Sequence, residues 1–359
     1  MTDREYLVLL YSFIPFGPAR IKLLLSYFGS AEKTWKAERK KLIEIGLKEK
    51  TVNDFINFKD GLEPSEYFNR LKKLSINYIT YKDSNYPQNL LEIDSAPPAL
   101  YIKGEIVSSD INAVAIVGAR KMTSYGREVT EKFAGELASY GLTIISGLAR
   151  GVDTIAHKGA LSVGGRTLAV VASGLDKIYP PENTALANEI IKNGAIISEY
   201  PLGYPALPTN FPTRNRIISG LAKAVLVVEG ETKSGTLLTA GAAAEQGRTV
   251  FAIPGQITSP MSGAPLFLIQ NGAKMAISVN DILDELNLQV KVDREAIEGV
   301  LPSGKDEERL IEILSNEPLH LDEIARISSQ PVNEISARLT IMELKGMVRN
   351  LGGGVYKKV

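Results

Sequence analysis

Val114-Ala115-Ile116-Val117-Gly118-Ala119-Arg120-Lys121-Met122-Thr123-Ser124-Tyr125-Gly126 is the stretch on which the fold turns. It opens with four apolar residues in a row, the mark of a strand covered on both faces. A tight glycine turn, two cations and two hydroxyls follow at the strand's C-terminal end. Ligands of such sheets bind there, so the turn suits anion capture. The GxGxxG spacing of a dinucleotide fingerprint is absent. Comparable apolar runs recur at 143–146, 167–172, 195–198, 224–228, 249–253 and 273–278, separated by amphipathic segments. This alternation predicts an α/β fold built on a doubly wound, mostly parallel sheet.

On the N-terminal side, residues 7–58 carry apolar residues at helical spacing, broken at Pro15-Phe16-Gly17-Pro18 and Phe28-Gly29-Ser30. Short helices joined by tight turns follow, as a packing module or as a helix-hairpin-helix that offers N–H groups to a phosphate. Residues 62–110, with Pro97 and Pro98, read as a structured connector. On the C-terminal side a charged, unpatterned stretch precedes three helices at about 307–315, 321–328 and 332–346 and a glycine-rich hairpin, the pattern of a winged helix. The expected divisions are a helical domain over 1–65, the sheet domain over 66–290, a linker over 291–304 and a winged helix over 305–359.

Composition narrows the chemistry. The 359 residues are 44% hydrophobic and 23% charged, a globular balance on a chain long enough for more than one domain. Without cysteine there are no thiolate metal sites or thiol nucleophiles, and two histidines, His157 and His320, supply triads poorly. No apolar stretch is long enough to span a membrane, and the acidic start is unlike a signal peptide, so a cytoplasmic location is expected. With 41 basic and 41 acidic residues, nucleic-acid binding has to come from a local patch.

Further strand-end turns supply candidates for such a patch. Ser146-Gly147-Leu148-Ala149-Arg150-Gly151-Val152-Asp153 repeats the order strand, glycine, cation, helix, and His157 beyond it reads as a surface or capping imidazole. Ser173-Gly174-Leu175-Asp176-Lys177-Ile178-Tyr179 adds a cation and an aromatic. In Asn210-Phe211-Pro212-Thr213-Arg214-Asn215-Arg216, Pro212 suits a first helical turn. Two arginines then sit at the positive end of a helix dipole, an arrangement that favours a bound anion, while Phe211 just outside could stack on a base. Glu229-Gly230-Glu231-Thr232-Lys233-Ser234-Gly235-Thr236-Leu237 has the glycine spacing of a P-loop but lacks its lysine. It remains an anion seat at a helix start.

Taken together, these motifs resemble the DNA-processing protein DprA (Smf) family. The resemblance rests on Tyr86-Pro87-Gln88-Asn89-Leu90, on residues 118–126, 146–157, 174–183, 211–221 and 234–248, and on Pro254-Gly255. It implies an extended Rossmann-like sheet and a non-enzymatic, cofactor-free protein. Such a protein binds single-stranded DNA, forms a homodimer through the Rossmann-like domain and helps load the recombinase RecA in natural transformation. It also implies a basic pocket lined by Arg120, Arg214 and Arg216, with Lys177 in a third motif. The candidate DNA-contacting set is Gly118, Arg120, Ser124, Gly147, Gly174, Lys177, Phe211, Arg214, Asn215, Arg216, Ser234, Gly235 and Thr236.

The winged helix reads as a poor DNA reader, because helix 332–346 sets Arg338 and Lys345 against Glu334 and Glu343. Two rival functions are kept. Lysine-decarboxylase-like phosphoribohydrolases also carry glycine-rich turns on Rossmann-like sheets, but their glutamate after the GT pair is missing here, where Leu237-Leu238-Thr239 precede Glu245. Glu199 and Glu229, each following a strand, leave a magnesium-dependent activity open. The other rival is an interaction scaffold without DNA binding.

Overall fold

The computed structural model describes residues 1–286, 305–315, 317–344 and 347–358. The expected linker at 291–304 and Lys345 lie outside the described residues. Two compact units emerge, Met1–Gln289 and Val290–Val359.

The first unit is organised by a nine-stranded sheet in the order β1-β2-β6-β5-β4-β3-β7-β8-β9. The seven apolar runs form β3 (Ala113–Val117), β4 (Thr143–Ser146), β5 (Thr167–Val170), β6 (Gly194–Ser198), β7 (Ala224–Val227), β8 (Thr249–Ala252) and β9 (Lys274–Met275). All pairings among these seven strands are parallel. The last run shortens to two residues because Ser278 caps the next helix, where Asp281 reciprocates. Two strands inside the expected connector, β1 (Asn77–Thr80) and β2 (Ala99–Gly104), add an antiparallel edge against β6. After β6 the chain crosses to the far side of β3 to lay down β7. The order therefore reverses at β3, where open α/β sheets bind ligands beyond the strand ends.

Pleating sends alternate residues to opposite faces. Ala169 and Ile196 join one hydrophobic cluster, and Leu168, Val170, Ala195 and Ile197 join another. The first cluster also contains Leu7, Leu9, Leu10, Phe16, Leu24 and Phe55. These come from α1 (Asp3–Ser12), α2 (Pro18–Phe28), the short α3 (Ala31–Trp35) and α4 (Arg39–Glu44), α5 (Glu49–Asp60) and α6 (Pro64–Lys73), together with the turns between them. The N-terminal helices thus share one core with this face of the sheet, α1 packing on the edge strands β1 and β2 while Leu186, Ala187 and Ile190 of a later helix cover β5 and β6, and no break in packing falls at residue 65. The later helices are α7 (Gln88–Leu91), α8 (Ser124–Ser139), α9 (Val152–Ser162), α10 (Thr184–Ile190), α11 (Asn210–Leu221), α12 (Thr236–Glu245), α13 (Gly263–Gln270) and α14 (Val279–Glu285).

The second unit is a winged helix. Helices α15 (Lys305–Ile313), α16 (Leu321–Ser328) and α17 (Val332–Leu344) pack Leu310, Ile324, Ile335, Leu339 and Met342 against Tyr356. Its antiparallel sheet runs in the order β10 (Leu319–His320), β12 (Val355–Lys358), β11 (Val348–Gly352). Arg338 forms an ion pair with Asp306, which spends the single cation within α17.

Candidate nucleic-acid interface

A cleft of about 630 Å³ opens beyond the C-terminal ends of β3, β4 and β7. Its first wall is the turn after β3, with Gly118, Arg120 and Lys121. The turn after β4 is laced to it from below, with Val152 N–H donating to Ala119 O at 3.1 Å. So close a crossing needs Gly151, whose φ of +78° lies outside the range L side chains favour. The opposite wall is the first half of α11, with Phe211, Arg214 and Asn215. Ser234, Gly235 and Thr236, where α12 begins, close the third side. The Ser234 hydroxyl has no hydrogen-bond partner among the described residues.

Two cations on this cleft differ in kind. Arg120 is exposed, and its guanidinium lies 5.1 Å from the centroid of the Phe211 ring. Tyr179 extends this aromatic surface, its ring 5.9 Å from that of Phe211. Arg214 is 4% exposed, donates to Val170 O and packs directly over Gly147, where a side chain would collide with the guanidinium. Burial pushes its pKa down to about 10, against the opposing pull of the Asp153 carboxylate. Asp153 in turn accepts N–H bonds from Gly147 and Ala149 at 3.1 and 3.3 Å, which shapes the turn beneath Arg214. Burial raises the Asp153 pKa despite Arg214 nearby.

The cleft gathers Gly118, Arg120, Phe211, Arg214, Asn215, Ser234, Gly235 and Thr236 from the expected set, and five others lie outside its lining. Ser124 is exposed in the first turn of α8, where Thr123 supplies the cap. Gly147 lies beneath Arg214 as a packing position. Gly174 donates its N–H to Tyr204 O and leaves room for the backbone at Pro201. Lys177 is exposed. Arg216 departs furthest from the expected pocket. It pairs with Glu199 and donates to Ser95 O at 2.6 Å, within a second cleft on another side of α11. The helix starts at Asn210, so Phe211 is inside its first turn and both arginines lie in the second. Each arginine has a carboxylate nearby, so the dipole argument for an external anion falls away; the exposure of Arg120 takes its place.

His157 is fully buried rather than superficial. Its Nδ1 is 2.6 Å from Thr167 Oγ1, which itself donates to Ile144 O, so Nδ1 carries the proton. Burial first, and then Arg214, lower its pKa to about 3. The unfolded chain therefore takes up a proton near pH 6.5 that the folded chain refuses until about pH 3. His157 thus subtracts stability as pH falls through that window, by up to about 1.4 kcal/mol per pH unit. Urea midpoints at pH 7 and pH 5 should differ less in His157→Asn than in the parent chain. Equal differences would exclude this role.

The rivals lose their carboxylates. Glu229 accepts from the Thr123 N–H and hydroxyl at 2.9 and 2.6 Å, and Glu199 accepts from Tyr11 and Arg216. Glu245 is the last residue of α12, distant along the helix from the cleft residues at its start. The candidate set left out Lys121, Tyr179 and Asp153, which line the cleft, although all three lie in motifs already quoted.

Comparison with known proteins adds independent findings. Residues 77–287 match the family model of DNA recombination-mediator protein A, and residues 300–354 match that of the DprA winged helix domain. Protein Smf of Synechocystis is 34% identical, over 95% of this chain and 95% of that protein. The X-ray structure of DNA processing protein A from Streptococcus pneumoniae aligns with a TM-score of 0.69 at 34% identity, covering 79% of this chain and 98% of that one. A structure of DNA processing protein A from Helicobacter pylori, described for its single-stranded DNA binding mode, aligns with a TM-score of 0.52 at 30% identity, covering 59% and 96%.

Proposed function

Because the chain belongs to the DNA recombination-mediator protein A family, DNA-binding proteins rather than enzymes, we propose that its cleft holds single-stranded DNA. The observation that carries this reading is the exposed Arg120 guanidinium lying on Phe211 above a buried Arg214. A phosphate reaches Arg120, Lys121 and the N–H groups at the start of α12, while a base stacks on Phe211 and Tyr179. A duplex can offer the phosphate but not the unstacked base, whereas a flexible strand can offer both. The strand-binding mode named for the Helicobacter pylori relative supports the same choice.

The protein protects incoming strands and helps to load the RecA recombinase during transformation, a role supported by the family's description as a recombination mediator. It acts in the cytoplasm as a homodimer. Support for dimerisation comes from the sheet edge at β9, where Met275 and the following Ile277 are exposed. The sheet domain, 66–290, carries the DNA site, with 1–65 packed into its core and 305–359 as an appended module.

Binding of matched single-stranded and duplex oligonucleotides across a salt series tests the reading. The expected result is a single-strand preference that weakens steeply with salt. Phe211→Ala should cost about 1–3 kcal/mol of single-strand affinity, the worth of one stacked base. Equal affinity for both DNA forms, or an unaffected variant, would overturn the reading.

A further inference from the structure

The second cleft, about 520 Å³ in volume, has a different character from the first. It lies between the α1–α2 turn and the start of α11, with Glu199, Tyr200 and Arg216 in its lining. Among its charged residues Arg216 is already paired, since it donates to Glu199 and to Ser95 O. Both Arg216 and Tyr11 direct their bonds to the same oxygen, Glu199 Oε2. The other oxygen, Oε1, is buried without a partner among the described residues, although the residue is only 5% exposed. Asp94, at the cleft's rim, is exposed and has no ion pair among the described residues. Tyr200 and Tyr204 stack with centroids 5.2 Å apart and planes within 4°.

We propose that this cleft binds a small organic cation bearing a guanidinium or primary ammonium group. A buried acceptor without a donor calls for an N–H group, because leaving it unmet is costly. Tyrosine faces attract a cation through the ring quadrupole. Asp94 gives the lining an unspent negative charge, which repels the phosphates that the first cleft attracts. The three features select a donor-rich cation over an anion or a plain hydrocarbon.

The full chain, free of DNA, would be titrated calorimetrically at constant ionic strength with agmatine, spermidine and thymidine monophosphate. Agmatine offers both a guanidinium and a primary ammonium group, and spermidine offers ammonium groups without a guanidinium. The expected result is saturable one-to-one binding of at least one cation, with a dissociation constant of roughly millimolar or below. Asp94→Asn and Tyr204→Ala should each weaken it about tenfold, and Arg120→Ala, confined to the first cleft, should leave it unchanged. Glu199→Gln should also weaken it, and the two other variants decide the matter if that chain fails to fold. Absence of saturable cation binding up to about ten times that concentration, equal binding by the Asp94 and Tyr204 variants, or nucleotide binding lost in Tyr204→Ala would each overturn the assignment. The Arg120 control separates this outcome from failure of the DNA reading.

Discussion

Replacing Arg216 with alanine is expected to cost the folded state about 3–5 kcal/mol, because it strands a buried carboxylate. The Glu199 side chain is 6% exposed and that of Arg216 14%, so solvent cannot replace the lost partner. Tyr11 would still donate to Glu199, yet a neutral phenol does not cancel a charge. The same change should leave the salt dependence of DNA binding unaltered in the fraction that remains folded. Arg120→Ala should do the reverse. Its exposed side chain makes no ion pair among the described residues, so stability should move by no more than about 0.5 kcal/mol. The slope of log affinity against log salt should then fall by about 0.7, the value for one phosphate contact on a single strand. Denaturant melts and salt titrations on the two variants give four readings. A reduced slope in Arg216→Ala would put Arg216 on the DNA after all.

The second large effect is expected at Gly151. Its φ of +78° and ψ of −130° lie where a side chain is strained. A Cβ there would also meet the backbone of the preceding turn, with the carbonyl oxygen of Arg120 2.6 Å away. Neither neighbour is a side chain that can swing aside. Strain and overpacking together should cost Gly151→Ala about 3–5 kcal/mol. Single-strand affinity should fall at least about tenfold, because relief of the clash displaces the turn that aims Arg120. Urea melts and oligonucleotide titrations check both, and native-like values in the two assays would sink the idea that the turns are mutually locked.

The central sheet was legible in the sequence because continuous apolar runs identify strands buried on both faces, and β3 to β9 grew from those runs. The edge strands β1 and β2 were not, since short antiparallel pieces beside prolines carry no comparable signal. The cleft was readable in part for a geometric reason. Phe211, Arg214 and Asn215 stand three and four residues apart and share a helix face, whereas Arg214 and Arg216, two apart, cannot. That spacing already set the arginines on different sides. What the sequence could not show is which carboxylate each would meet, since Asp153 and Glu199 come from separate strand ends that only the folded sheet brings beside α11.

The shared core of the N-terminal helices and the sheet has a practical consequence for dissecting the protein. Cutting the chain near residue 65 would remove α1 from β1 and β2 and open the shared core at Ala99 and Tyr101, leaving apolar surface exposed to water. Such a fragment would tend to self-associate, and loss of DNA binding by it would report aggregation instead of the helices' role. Questions about what those helices contribute are therefore better put to the intact chain, one side chain at a time.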